Sequence, residues 1–421
     1  MTKADFLPVQ VALQKVLDLF ETLPAETVPL EKASGRILAE DVVAQDSLPP
    51  FDNSGMDGYA LKAADTSGAT DRNHKSLKVI GEVAAGALFE GTLRMGQAVR
   101  IMTGAPIPDG ADAVIRIEDT GEDYSDAQRP LPDLVSIKAE VGPANAIRYA
   151  GSDLKAGQTI LTAGRQIRPQ EVGVLASLGV PQVQVIRRPK VAILATGDEL
   201  IPVEEALVPG KIRNSNGYAQ AAQIEALGAE ALRLGVAKDT PEDLKAKLQA
   251  GLDANVDLFI SSAGVSVGVY DVVTDVLQKG GNVNFWKVRM RPGKPLAVGR
   301  YGGIPYLGLP GNPVSAMVSF ERFARPAILK MGGHAITERP RRKVVFREPI
   351  RSDGRETYVR AIIRREADGT LSAISTGNQG SHVMTSLVKA NGLVIIPEGV
   401  REVAPDTELD ALMTDWPSEV F

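Results

Sequence analysis

Between Lys287 and Arg300 the chain carries five cationic side chains and no acidic one. In FWKVRMRPGKP, Lys287, Arg289 and Arg291 stand two residues apart, and Lys294 follows after a Pro-Gly pair. A strand has a side-chain period of two, so this spacing predicts one strand face bearing all three cations and an opposite face bearing Val288 and Met290. Like charges crowded on one face cost stability unless an anion lies among them. The chemistry this pattern offers is the holding of a phosphate or another oxyanion, where strands end and helices begin. A basic edge strand that discourages aggregation is the plainer alternative. Glycine-rich turns on both sides, SAGVSVGVYD at 262–271 and GLPGNPVSAM at 308–317, favour the pocket. The second turn ends near Ser315, where a helix is predicted to start.

Acidic residues in turn-rich contexts form the complementary set. Asp198 and Glu199 follow a strand in TGDEL, Asp239 lies in VAKDTPEDL, and Asp271 closes VGVYD. Carboxylates gathered at the ends of parallel strands suit a divalent cation that bridges phosphate oxygens. For Asp239, taken alone, a helix cap or turn role is the stronger alternative. Asp57, between Met56 and Gly58 in PPFDNSGMDGYAL, reads equally as a turn-stabilising residue, and Thr103 lies on the rigid loop MTGAPIPDGAD. Two motifs are absent: the GxxxxGK[ST] phosphate loop, since Pro295 follows Gly293-Lys294, and the GxGxxG fingerprint. An ordinary ATPase and a nicotinamide dehydrogenase are therefore disfavoured.

Composition narrows the chemistry further. A chain of 421 residues exceeds one ordinary core and predicts two to four domains. Apolar content of 44% with 24% charged residues is that of a globular protein, and a net charge of −5 argues against nucleic-acid binding. With no cysteine and three scattered histidines, neither a thiolate nucleophile nor a zinc cluster is expected. Any metal should be a hard cation on carboxylates, magnesium by default. MTKADFLPVQ lacks an apolar leader and no 18-residue apolar run occurs, so no membrane segment and a cytoplasmic location are expected.

The elements that must position these residues follow from periodicity. Val9, Leu13, Val16, Leu17 and Phe20 share one face of a helix starting near Pro8. SGRILAEDVV at 34–43 reads as a short helix running into a strand. From about 47 to 145, short β-type runs between Gly, Pro and Asp predict a small β domain, with EDYSDAQRPLPD at 122–133 as an exposed excursion. QTILTAG predicts a strand and PQEVGVLASLG a helix with proline in its first turn. From 188 to 330 strand and helix alternate (KVAILATG, NSNGYAQAAQIEALG, AEALRLGVA, PEDLKAKLQAGLD, VDLFISSAG), which predicts a parallel sheet with helices on both faces. After 333, RRKVVFREPI, TYVRAIIRRE, GTLSAISTG and GLVIIPEG predict a closing β-barrel or sandwich. The fold class expected is α/β plus β, multidomain.

Taken in order, PPFDNSGMDGYA, RIMTGAPIPDGAD, ATGDEL, SVGVYD, RPGKP, GLPGNPVSA and NQGSH resemble the molybdopterin molybdenumtransferase family, whose members include bacterial MoeA and the E domain of gephyrin. The likeness spans essentially the whole chain. It implies insertion of molybdate into adenylylated molybdopterin, with release of AMP and magnesium assisting, in a homodimer whose active sites lie at the subunit interface. It also implies a linking domain from 1–46 and 146–180, an inserted β-rich domain at 47–145, an α/β molybdopterin-binding domain at 181–330 and a C-terminal β domain at 331–421. By motif, the functional acids map to Asp57, Asp153, Glu199, Asp239 and Asp271, with Thr103 beside them. Glu199, Asp239 and Asp271 fall to the metal, and Lys287 joins the catalytic set. Arg291, Lys294, Ser315, Arg360 and Ser381 map to anion binding. Arg291 stands where the family often has lysine, Ser152 where it often has glutamate and Ala263 where it often has glycine; the arginine keeps charge but changes contact geometry.

Two rival readings remain at this level. An ATP-dependent molybdopterin adenylyltransferase resembles the α/β domain alone, and such an enzyme is also a candidate partner; the flanking β regions and an ATP-dependence assay separate the two. A gephyrin-like scaffold would be expected to have lost the charged positions that persist here.

Overall fold

The computed structural model describes residues 6–122, 130–263 and 270–415, the side chains of 270–272 excepted. The chain divides into two compact units, Met1–Ala39 with Gly164–Arg168 and Val183–Phe421, and Glu40–Ala163 with Pro169–Gln182.

The first unit is built on a seven-stranded sheet. Glu230–Ala237, Lys190–Thr196, Leu258–Ser262 and Ile304–Leu309 run parallel, as alternation with helices requires. The strands Pro295–Tyr301 and Gly281–Val288 add in antiparallel fashion. The reason is connection length. Gly302 and Gly303, at φ of 54° and 84°, make a two-residue hairpin that only antiparallel neighbours can use. Alternate residues of KVAILAT explain why helices cover both faces. Val191 and Ile193 enter a core shared with Val9–Leu17, Ser215–Glu225 and Pro313–Ser319, while Ala192 and Leu194 enter a second core with Pro241–Asp253 and Tyr270–Lys279.

Five further strands, Arg341–Phe346, Glu356–Arg365, Leu371–Ser375, Gly392–Ile396 and Thr407–Met413, close into a barrel through the pairing of Glu356–Arg365 with Gly392–Ile396. Along Glu356–Arg365 the pleat sorts the side chains. Val359, Ala361 and Ile363 fill the barrel, and Tyr358 joins the α/β core instead.

The second unit contains a five-stranded sheet made of Gly58–Leu61, Lys75–Val83, Gln97–Ile101, Ala113–Arg116 and Leu134–Ile137. Its alternating residues feed two small cores, one holding Tyr59 and Leu61 and the other Ala60 and Val99. The helix Pro169–Ser177 and the strand Thr159–Leu161 also form as expected.

Two expectations are corrected. Residues 34–43 hold no helix: Gly35 turns at φ 79°, and Ile37 and Leu38 make single bridges to Gln166 and Val185. The supposed cationic strand is broken at Arg289. Lys287 belongs to the seven-stranded sheet, whereas Met290–Arg291 pairs with Glu356–Thr357 of the second sheet. Val288 and Met290 are still both buried, so the alternation of burial holds while the single face does not. Of the exposed excursion, residues 123–129 lie outside the described residues, as do 264–269 of the glycine turn before Asp271.

Candidate active site

A cleft of about 940 Å³ opens in the first unit where the parallel strands end and the barrel begins. Glu199, Arg291, Lys294, Ser315, Arg360 and Ser381 all line it. The turn that carries Lys294 needs glycine before it: Gly293 sits at φ 109°, and a side chain there would collide with Ser319 Oγ. Ser315 is buried in the helix Pro313–Ser319, which proline starts and Asn312 precedes. The Val314 amide donates to the Ser381 carbonyl at 3.1 Å, tying this helix start to the barrel loop.

Arg360 is the centre of charge. It is 1% exposed, and its Nε donates to Ser386 Oγ at 3.1 Å while a terminal nitrogen donates to the Gly380 carbonyl at 3.2 Å. Among the described residues no carboxylate pairs with it. Burial, with repulsion from Arg291 added, pushes Arg360 down to about 10, so at neutral pH it is a cation held against a penalty. The other cations are better served. Arg291 lies 3.8 Å from Asp353, which the Arg355 hydrogen bond holds down at about 2. Arg289 pairs with Glu398 at 2.5 Å. Lys294 is exposed, its Nζ 5.0 Å from the Phe6 ring centroid.

The acids divide between the two units. Glu199 reaches the cleft, whereas Lys287 and Asp239 do not line it. Asp239 is close to the same loop, its amide donating to Asp198 Oδ1 at 3.2 Å, and Thr240 caps the helix Pro241–Asp253 in its stead. Asp239 Oδ1 is buried without a hydrogen-bond partner, a state that a bound cation would relieve. Asp271 begins the helix Tyr270–Lys279, and its side chain lies outside the described residues. Among the described residues no three potential ligands are grouped for a metal. In the second unit, Asp57 Oδ1 accepts hydrogen bonds from the Thr103 amide at 2.6 Å and from its hydroxyl at 2.8 Å, joining two loops 46 residues apart. Asp153 is exposed in a bend of the same unit, beside Ser152.

Residues 7–179 match the MoeA N-terminal region (domain I and II), 192–330 a probable molybdopterin binding domain, and 343–413 the MoeA C-terminal region (domain IV). A molybdopterin molybdenumtransferase 2 from Mycobacterium tuberculosis is 42% identical over 95% of this chain and 98% of its own. The chain belongs to the MoeA family. A molybdopterin molybdenumtransferase from Nostoc sp. is 40% identical over 89% of this chain and 85% of its own. A solved MoeA protein from Pyrococcus horikoshii covers 98% of this chain and all of its own, with a TM-score of 0.81 at 32% identity.

Within this MoeA-family cleft, several lining residues were not singled out from the sequence, among them Arg351, Arg355, Gln379, Asn214 and Asn216. Gln379 orients Arg360 directly: its Oε1 accepts from the Arg360 amide at 2.9 Å and its Nε2 donates to the Arg360 carbonyl at 3.2 Å. Its neighbourhood in NQGSH was the available signal. Ala263 holds φ 72°, a backbone state that favours glycine.

Proposed function

We propose that this chain is a cytoplasmic transferase of molybdenum cofactor biosynthesis that inserts molybdate into adenylylated molybdopterin and releases AMP. The observation that carries the reading is Arg360, buried in the cleft without a carboxylate partner and pushed down to about 10. A buried cation of this kind is satisfied by an anion supplied from outside. Arg360, Arg291, Lys294, Ser315 and Ser381 would hold molybdate by charge-assisted hydrogen bonds, next to the dithiolene of the pterin substrate. That dithiolene brings the soft ligands molybdenum prefers, which suits a chain with no cysteine.

Glu199, Asp239 and Asp271 are the residues proposed to hold magnesium, and the unpartnered Asp239 oxygen supports the assignment. Magnesium bound there would supply Lewis-acid polarisation of the phosphoanhydride. Lys287 does not line the cleft, though it pairs with Pro295, which does, and its proposed catalytic role rests on the family likeness. The assembly proposed is a homodimer in which Asp57, Thr103 and Asp153 of a second copy complete each site. The family likeness supports it, and so does the Asp57–Thr103 pairing, which presents a fixed acid on a rigid loop. An upstream molybdopterin adenylyltransferase is the partner this chemistry calls for.

The decisive experiment measures AMP release from adenylylated molybdopterin with and without molybdate, in the absence of ATP. Release that depends on molybdate and magnesium is expected. Release indifferent to molybdate, or a need for ATP, would overturn the reading. Mixed dimers of Asp57→Ala and Asp271→Ala chains should regain activity that neither has alone; no recovery would reject the shared site.

A further inference from the structure

The helix that carries Ser315 does not stop at Ser319. A π-helical turn, Phe320–Ala324, joins it to Arg325–Met331, and within that turn lies Arg322, 1% exposed. Two of its nitrogens, Nε and one terminal nitrogen, are buried without hydrogen-bond partners. Its nearest acid, Glu338, is 3.5 Å away, half-exposed, and shared with Arg341 at 3.3 Å. Burial opposes its charge, but the neighbouring Tyr358, Glu338 and Glu356 outweigh that penalty and hold the guanidinium above its usual range. Two unused donors on a buried cation ask for a role beyond ion pairing, and π-turns occur frequently at functional sites.

The guanidinium faces the Tyr358 ring at 5.7 Å from its centroid. Tyr358 is fully buried, and its hydroxyl bonds to Glu356. Tyr358 precedes Arg360 by two residues in the strand Glu356–Arg365, so the two side chains leave the strand on the same side. On the helix, Arg322 follows Ser315 by seven residues, about two turns. The Arg322–Tyr358 contact is thus a second rung behind the pair Ser315 and Arg360, both of which line the cleft.

We infer that Arg322 is a positioning residue for oxyanion binding: by holding Tyr358 it fixes the barrel strand against the cleft helix, and so sets where the Arg360 guanidinium stands relative to Ser315. The inference rests on the proposed oxyanion role of this cleft. It requires the cation–π contact and not merely the volume of the side chain, since an ammonium also interacts with an aromatic face whereas a thioether carries no charge.

The test compares Arg322→Met and Arg322→Lys in the full-length protein. Molybdate affinity is read by calorimetry without the pterin substrate, thermal stability by melting, and KM for molybdate separately from kcat. Arg322→Met is expected to weaken molybdate on the order of tenfold and raise KM more than it lowers kcat. Arg322→Lys is expected to recover most of that affinity. Wild-type affinity in Arg322→Met would overturn the inference. So would equal losses in both variants accompanied by a lower melting temperature, since that is what a purely structural residue gives. If the wild-type protein itself binds no molybdate, it is the proposed function of the cleft that fails.

Discussion

Two cationic segments meet at the cleft, and they differ in how their charge is balanced. Residues 287–294 are dense in cations, yet the fold disperses them: Lys287 stays in the α/β sheet and does not line the cleft, Arg289 is matched by Glu398, and Arg291 approaches Asp353. The strand Glu356–Arg365 contributes one cation to the same cleft, Arg360, and no described carboxylate answers it. Charge that is visible along the chain is not the charge a ligand meets. What remains after the fold has paired its own acids and bases decides where an anion goes, and burial decides how strongly it is held.

The sharpest way to break this contrast is Arg360→Gln. The variant keeps an amide nitrogen where Nε meets Ser386 but removes the buried charge and the terminal donor to the Gly380 carbonyl. One charge-assisted hydrogen bond contributes roughly 1.5–3 kcal/mol, and a buried fork can make two, so molybdate affinity should fall by about 100-fold or more. Calorimetry with molybdate reads it directly; a loss under threefold would show that Arg360 is not the anion's main partner. Lys294→Ala comes next. Its ammonium is exposed and screened, so a loss nearer the lower end of about 10- to 100-fold is expected, growing smaller as salt is raised. A Lys294→Ala loss exceeding that of Arg360→Gln would invert the ranking that burial predicts.

Much of this was legible in the sequence, and the part that was not has a physical cause. The parallel α/β sheet was written in runs such as KVAILATG alternating with amphipathic stretches, and the barrel in TYVRAIIRRE and its neighbours, because burial on two faces imposes long apolar runs. The break at Arg289 was not legible, since it depends on Met290–Arg291 finding a partner strand more than 60 residues away. The acids that neutralise Arg289 and approach Arg291, Glu398 and Asp353, are likewise remote, so inspecting 287–300 alone overstated its free charge. Arg360 did leave a local trace: one arginine inside TYVRAII, a strand buried on both faces, where an unpaired charge is out of place. Asp57 and Thr103 were each singled out by motif, but their contact was not, since no local pattern joins two loops so far apart.

A smaller effect tests the acidic side of the same comparison. Asp239 has an unpartnered buried oxygen, the anionic counterpart of Arg360. Asp239→Asn removes charge at nearly constant shape. Magnesium required for half-maximal AMP release should rise on the order of tenfold, equivalent to about 1.4 kcal/mol, while the melting temperature of the metal-free protein holds or rises. A fall in stability with unchanged magnesium dependence would make Asp239 a structural residue.

The pH profile separates buried from exposed charge further. Because burial holds Arg360 below the usual arginine range, at about 10, the folded protein releases this proton before the unfolded chain does. Above that value the unfolded state binds more protons, so this residue's burial penalty is relieved and its contribution to stability rises with pH, while its grip on an anion is lost. Molybdate affinity should therefore be flat through neutral pH with respect to Arg360 and fall as pH passes about 10. Arg291→Gln, by removing the neighbouring positive charge, should move that fall to higher pH. An unshifted profile in the variant would sever the electrostatic link between the two arginines.

The smallest expected effect is the most telling about the cationic strand. Arg289 lies in a charge-dense stretch, and by spacing alone it ranks with Arg291, although the family likeness gives anion binding to Arg291 and not to Arg289. In the fold it points to Glu398, in the barrel-side loop, at 2.5 Å, and both side chains are partly exposed. An exposed ion pair contributes about 0–1 kcal/mol, screened further by salt. Arg289→Ala should therefore change molybdate affinity less than about threefold and lower stability by no more than about 1 kcal/mol. The double variant Arg289→Ala with Glu398→Ala should look like either single one, since each removes the same pair. A tenfold loss of molybdate affinity in Arg289→Ala, with none in Glu398→Ala, would mean that the ion pair opens to receive the anion. Local charge density would then have been the better guide after all.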